Sequence, residues 1–215
     1  MMQRISGLRR GMARPRMGRR LAGLALSLMT IGFCVAVFDR IGFGTDPCST
    51  MNLGISRVTG VSFGTCQMLV NAALLLIVIR YDLRKIGIGT VANMILVGYT
   101  AEIFMRIFDG VPAMNAMSIP VRLCVFVPTM ALFLFAASIY IVVDLGVVPY
   151  DAVPMIIADH AGRMPFRTVR MCWDVSVLVI GYIFGSTVGM TTLVTGFCLG
   201  PAIAAVSHRV KGWFE

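Results

Sequence analysis

From Leu21 to Phe38 the chain runs "LAGLALSLMTIGFCVAVF" without a single charge. Further apolar stretches follow at about 63–81, 86–108, 120–143, 166–184 and 189–207. They are continuous rather than alternating, so they read as helices and not as strands of an outer-membrane barrel. Most approach or exceed the roughly 20 residues a helix needs to cross a bilayer. The chain of 215 residues is 58 % hydrophobic and 13 % charged, with a mean hydropathy of +0.85. A soluble domain of this size has too little interior for so much apolar surface. The expected fold is therefore an all-α membrane protein with six transmembrane helices. Asp39-Arg40 after the first run is no signal-cleavage site, so that run is read as a retained span.

Two segments do not fit the spanning pattern. "GFGTDPCS" at Gly42–Ser49 and "DLGVVPYD" at Asp144–Asp151 each place glycine, proline and a polar residue where an apolar run ends. Each opens a stretch of about 13 residues, 47–59 and 149–161, that closes on Gly60 or Gly162. Proline at a helix start, a capping oxygen beside it and glycine at the end are helix punctuation. Pro47 with Ser49 or Thr50, and Pro149 with Asp151, are the expected starts. Helices of this length in a membrane protein are interfacial or re-entrant.

The two segments belong to a longer repeat. At a spacing of 102 residues Gly44 meets Gly146, Pro47 meets Pro149 and Gly60 meets Gly162. At 103, Phe63 meets Phe166, Thr65 meets Thr168, Met68 meets Met171 and Asn71 meets Asp174. At 102 again, Gly87 meets Gly189, Thr90 meets Thr192 and Gly98 meets Gly200. Each half, about 21–108 and 120–208, then holds three spans and one short helix. Three spans per half make the halves insert in opposite senses, an arrangement with its substrate path at the repeat interface. An old duplication that only supplies a scaffold is the plainer alternative.

Charge placement orients the chain. The net charge is +9, and seven arginines (Arg4, Arg9, Arg10, Arg14, Arg16, Arg19 and Arg20) crowd the first twenty residues, which hold no acid. With the N-terminus inside, fifteen Lys and Arg side chains fall on the cytoplasmic side and four (Arg40, Arg57, Arg106 and Arg122) on the other. Segment 1–20 is thus a cytoplasmic anchor rather than a nucleic-acid arm or a transit peptide, 21–208 a single transmembrane domain and 209–215 a cytoplasmic tail. A bacterial cytoplasmic membrane is the expected location, with the lipid bilayer as the main partner and no nucleic acid.

The Gly-x-x-Pro-x-(Asp/Ser) helix starts, "GVSFGTCQMLVNAALLL", "RKIGIGTVANMILVG" and "DLGVVPYDAVP" resemble the YczE/YyaS/YitT group of bacterial membrane proteins. The resemblance spans Leu21 to Val206 and rests on glycine and proline spacing. It implies an integral membrane protein of a group without an assigned activity, and points toward transport. One departure is that Cys48-Ser49 stands where the second half has Tyr150-Asp151.

Deep polar residues are the candidates for a path. Asp174 lies midway along the fifth span, with Arg170 one turn earlier on the same face. An intramembrane carboxylate marks either a pathway or a buried ion pair. Asn71 and Gln67 occupy the matching places in the first half. Glu102 with Arg106 reads as a structural ion pair, while Asn93 and Thr195 add hydrogen-bonding groups at the interface. Asp151 reads first as a helix cap and second as a ligand. The helix starts near it would offer N–H groups to an anion.

Gly181, Gly185 and Gly189 recur every fourth residue, as a homodimer face or as a seam between the fifth and sixth spans. The six cysteines form no CxxC pair and His160 and His208 stand alone, so neither a metal site nor a cofactor nor a structural disulfide is expected. No Ser/Lys, His-box or paired-Asp signature suggests an enzyme. The sequence therefore points to a small secondary transporter or permease of unknown small-molecule or ion substrate. The alternative is a non-transporting accessory, such as a capture subunit for a partner ATPase or an assembly factor.

Overall fold

The computed structural model describes residues 15–110, 114–162 and 164–210. Arg4 to Arg14, Pro112, Arg163, Lys211 and the rest of the tail lie outside them, as do the side chains of Arg16, Cys198 and His208. Among the described residues there are eight α-helices and no strand: α1 (Pro15–Ile41), α2 (Pro47–Thr59), α3 (Phe63–Tyr81), α4 (Ile88–Asp109), α5 (Ile119–Val143), α6 (Pro149–Ala161), α7 (Phe166–Ile183) and α8 (Met190–Val210). Short 3-10 turns at Leu83–Lys85 and Met114–Ala116 join α3 to α4 and α4 to α5.

Among the described residues four helices, α1, α3, α4 and α5, are long and apolar enough to cross a membrane. This is a membrane protein. Leu26, Leu69, Leu76, Ile103, Val127 and Ile183 are exposed on the outside of the bundle, where lipid tails suit them better than water. α7 falls short by composition, since its 18 residues carry Arg167, Arg170 and Asp174.

α1 packs along α4 and α5, and α5 along α8. The α1–α5 seam holds a core of Cys34, Val37, Phe38, Ile41, Phe126, Met130 and Phe133. Phe38 stands 5.9 Å from both Phe126 and Phe133, at tilted and edge-on angles that suit aromatic quadrupoles. The short helices cross between halves: α2 lies on α7, and α6 on α3. At the α2–α7 crossing a Cβ on Gly54 would stand 2.8 Å from Gly181 O, and one on Gly181 3.0 Å from Thr50 O. Only glycine lets these two backbones meet. Gly181 is therefore used against α2 rather than in a dimer face or an α7–α8 seam. Gly185 lies beyond the end of α7 at φ +78°, so the expected glycine row is not one helix face.

The two loops that precede α2 and α6 are held by the start of a helix from the other half. Gly89 N donates to Leu145 O (2.8 Å) and Thr90 Oγ1 donates to Val147 O (2.9 Å). At a spacing of 102, Thr191 N donates to Phe43 O (3.0 Å) and Thr192 Oγ1 donates to Thr45 O (2.8 Å). A Cβ on Gly87 would run into the Leu145 carbonyl, and one on Gly189 into that of Phe43.

The start of α2 corrects one expectation. The cap is Asp46, whose side chain accepts from Ser49 N at 3.1 Å, not Ser49 or Thr50. Proline at N1 has no N–H to be capped, so the cap residue stands before it. α6 corrects another: its N-cap is Val148 and Asp151 does not cap it. Gly60 and Gly162 do end the two helices, at φ +70° and +56°.

Candidate functional site

The buried half of each short helix is its N-terminal half: Pro47 to Gly54 in α2 apart from half-buried Cys48, and Pro149 to Ile156 in α6 apart from half-buried Asp151 and Met155. The C-terminal ends reach the surface. Arg57 of α2 pairs there with Asp39 at 3.1 Å and donates to Gly185 O at 3.0 Å. Asp159, at the same position of α6, meets Lys85 at 3.8 Å.

Both buried starts border one cavity of about 150 Å³. Its walls come from all eight helices and from both halves. Of the residues singled out in the sequence, Gln67, Asn71, Asn93, Arg170, Asp174 and Thr195 line it, with Pro47, Ser49 and Asp151 at the helix starts. Pro149 is buried directly before Tyr150, which also lines it. Glu102 does not. It accepts a hydrogen bond from Gly64 N at 3.1 Å and pairs with Arg106, tying α3 to α4.

One wall is an ion network. Arg170 Nε donates to Asp174 Oδ2 at 2.9 Å, and its NH1 reaches Asp151 Oδ1 at 2.6 Å. Tyr150 donates its hydroxyl to Asp174 Oδ1 at 2.6 Å, and the guanidinium sits 5.3 Å from the Tyr150 ring centre. Asp174 is thus held by two donors, and Asp151 by a charge one helix away. This explains why Asp151 is not a cap: its acceptor is turned to Arg170. Charge-assisted bonds of this kind are short and strong when water is scarce.

The rest of the polar lining is neutral apart from Asp46. Asn71 Nδ2 donates to Gln67 O at 3.0 Å. A carbonyl only accepts, so the amide nitrogen must face it and Oδ1 must face away. Asn71 Oδ1 and Gln67 Oε1 are buried without a protein partner. Thr195 spends its hydroxyl on Thr191 O at 2.9 Å. Ile31, Val97, Phe133, Ala137, Ile141 and Val148 give the cavity an apolar side.

Sequence reading missed Asp46, Tyr140 and Tyr150, which also line the cavity. Asp46 had a usable signal: an acid directly before proline, three residues ahead of Ser49. Tyr140 had none, because an aromatic ring in an apolar run reads as core, and Tyr150 stood between Pro149 and Asp151, where the helix-start signal drew the attention. Among the described residues no group of three His, Cys, Asp or Glu side chains could hold a metal ion.

Residues 18–208 match the model of a family of unknown function, DUF6198. The chain belongs to this family. Within the bacteria it is 26 % identical over 179 residues to an uncharacterized protein of Haemophilus influenzae, covering 83 % of this chain and 78 % of that one. It is 22 % identical over 178 residues to the uncharacterized protein YyaS of Bacillus subtilis, covering 83 % and 86 %. The resemblance to a YyaS-like group thus holds along most of the family region. No solved structure matches the chain.

Proposed function

We propose that this DUF6198 protein is a small secondary transporter or permease, with a path between two inverted halves. One observation carries the reading. A cavity with polar side chains from both halves set in an otherwise apolar lining is bordered by the starts of two inward-pointing short helices. In this reading α1, α3, α4, α5, α7 and α8 span, and α2 and α6 are re-entrant. Support for six spans comes from α7 and α8. α7 turns its charges Arg170 and Asp174 to the cavity, where hydropathy is no guide to spanning. α8 has 21 residues, or about 32 Å at 1.5 Å per residue.

Support for the inverted halves comes from the paired loop clamps, Gly89 and Thr90 on one loop and Thr191 and Thr192 on the other. Rocking one half against the other would open the cavity to each side in turn. Both termini face the cytoplasm of a bacterium, by the distribution of Lys and Arg. The protein carries a solute and catalyses no reaction.

Cys48 lines the cavity and gives a test that needs no substrate. In a variant that keeps Cys48 as its sole cysteine, a membrane-impermeant methanethiosulfonate reagent is added to oriented vesicles from either side. Labelling from both sides is the expected result. A Cys48 that no reagent reaches from either side would mean a sealed interior and would end the transport reading.

A further inference from the structure

The cavity has a chemical preference that its electrostatics and its orphan acceptors define together. Three carboxylates, Asp46, Asp151 and Asp174, line it against one guanidinium, Arg170. The N-termini of α2 and α6 add about +0.5 each. The sum is roughly one negative charge left over. Helix ends alone would favour an anion, but here each already has an acid in or beside its first turn, Asp46 and Asp151.

The second observation is independent of charge. Asn71 and Gln67 line the cavity, and their Oδ1 and Oε1 are buried with no donor, at 0 % and 4 % residue exposure. The Asn71 oxygen is fixed in that sense by its own amide's bond to Gln67 O. A buried acceptor without a donor costs about 1–3 kcal/mol, which a ligand bringing N–H groups would recover. The third is shape. A volume of about 150 Å³ suits a molecule of roughly five to eight non-hydrogen atoms, since an apolar cavity of that size takes benzene. A side of Ile31, Val97, Phe133 and Ile141 wants the rest of that molecule to be apolar.

We propose that the cavity binds a small primary ammonium compound, its charged head on Asn71, Gln67 and Asp46 and its short apolar body on Phe133 and Ile141. This names the substrate class of the transport site and so rests on that reading for its purpose, though not for the binding itself.

The test is isothermal titration calorimetry on the purified full chain in detergent, with n-butylammonium, n-butanol and n-butyrate as probes of matched size. Saturable binding of n-butylammonium alone is expected. Asn71→Leu and Gln67→Leu should each weaken it at least ten-fold, and Asn71→Asp should tighten it, an effect no purely structural role for Asn71 would produce. Thermal melting of each variant separates lost binding from lost fold. Binding of n-butyrate in place of the ammonium would overturn the proposal in favour of an anion site at the helix ends. Equal binding of n-butanol would overturn it in favour of plain apolar filling, and no binding of any probe would overturn it outright. Counterflow of labelled n-butylammonium in proteoliposomes then separates the two claims. Binding without flux would sink the transport reading and leave the ligand class standing, whereas flux of n-butyrate would do the reverse.

Discussion

The start of α2 and the start of α6 are the same device with different chemistry. Both follow a glycine of positive φ, Gly44 or Gly146, both put proline at N1, and both loops are clamped by a backbone N–H and a threonine hydroxyl at the head of another helix. Yet α2 is capped by Asp46, and the α3 of its half brings the neutral pair Gln67 and Asn71 to the cavity, while α6 has no side-chain cap and its Asp151 shares Arg170 with Asp174 of α7. Backbone requirements have kept the halves alike. Where only side chains are at stake, the second half brings Asp151, Arg170 and Asp174 to the cavity, while the first brings Asp46 and the neutral pair Gln67 and Asn71. A small cavity whose charged groups come unequally from the two halves is asymmetric, and a ligand would sit in it in one orientation.

The largest way to break this contrast is at the charged wall. Arg170→Met leaves Asp151 and Asp174 facing each other without a cation, and is expected to lower stability by about 3 kcal/mol. The matching change in the first half, Gln67→Met, removes an acceptor that has no partner. It is expected to stay within about 0.5 kcal/mol of the parent or to stabilise. Unfolding in mixed micelles measures both. Equal losses at the two positions would mean that the walls do not differ in the way the geometry suggests.

The shared backbone is probed next. Gly87→Ala and Gly189→Ala each drive a Cβ into a carbonyl of the opposite loop. Each is expected to cost about 2 kcal/mol, because backbone cannot move aside as a side chain can. Similar losses support the equivalence of the two clamps. A change tolerated at one and not at the other would separate them.

How much of this could be read from the sequence follows the same division. The limits of α2 and α6 were legible to the residue, because proline and glycine act locally on the backbone. The Arg170–Asp174 pair was legible because one helical turn joins them. Arg170 to Asp151 was not: they stand nineteen residues apart on consecutive helices, and only the α6–α7 packing brings the atoms to 2.6 Å. The role of Gly181 was misread for a related reason. Its spacing marked a close approach correctly, but a spacing cannot say that the partner is α2, which lies well over a hundred residues away in the chain. Asp46 was overlooked because the proline was taken as the first element of the start, when the cap precedes it.

Asp46 supplies a smaller effect. Asp46→Ala removes the acceptor for Ser49 N and is expected to cost about 1.5 kcal/mol, with Asp46→Asn costing a few tenths because the amide oxygen can still accept. α6 has no equivalent to lose, since Val148 offers no acceptor.

The smallest expected effect is also the cleanest control on the comparison. Gly60 and Gly162 end α2 and α6 at φ +70° and +56°, and a Cβ at either would meet nothing within 4 Å. Substitution there tests the left-handed backbone alone. Alanine in that region costs about 1–2 kcal/mol, and its lower freedom in the unfolded chain returns about 0.5 kcal/mol. Gly60→Ala and Gly162→Ala are each expected to lose about 1 kcal/mol in the same unfolding assay, and asparagine, which tolerates the left-handed region, should lose less at both. These two ends lie at the surface, away from the cavity and its charges, so nothing but backbone geometry distinguishes glycine from alanine there. Equal losses would mean that the halves still agree wherever chemistry is absent. Unequal losses would place the divergence in the backbone itself, and the asymmetry of the cavity could no longer be assigned to its side chains.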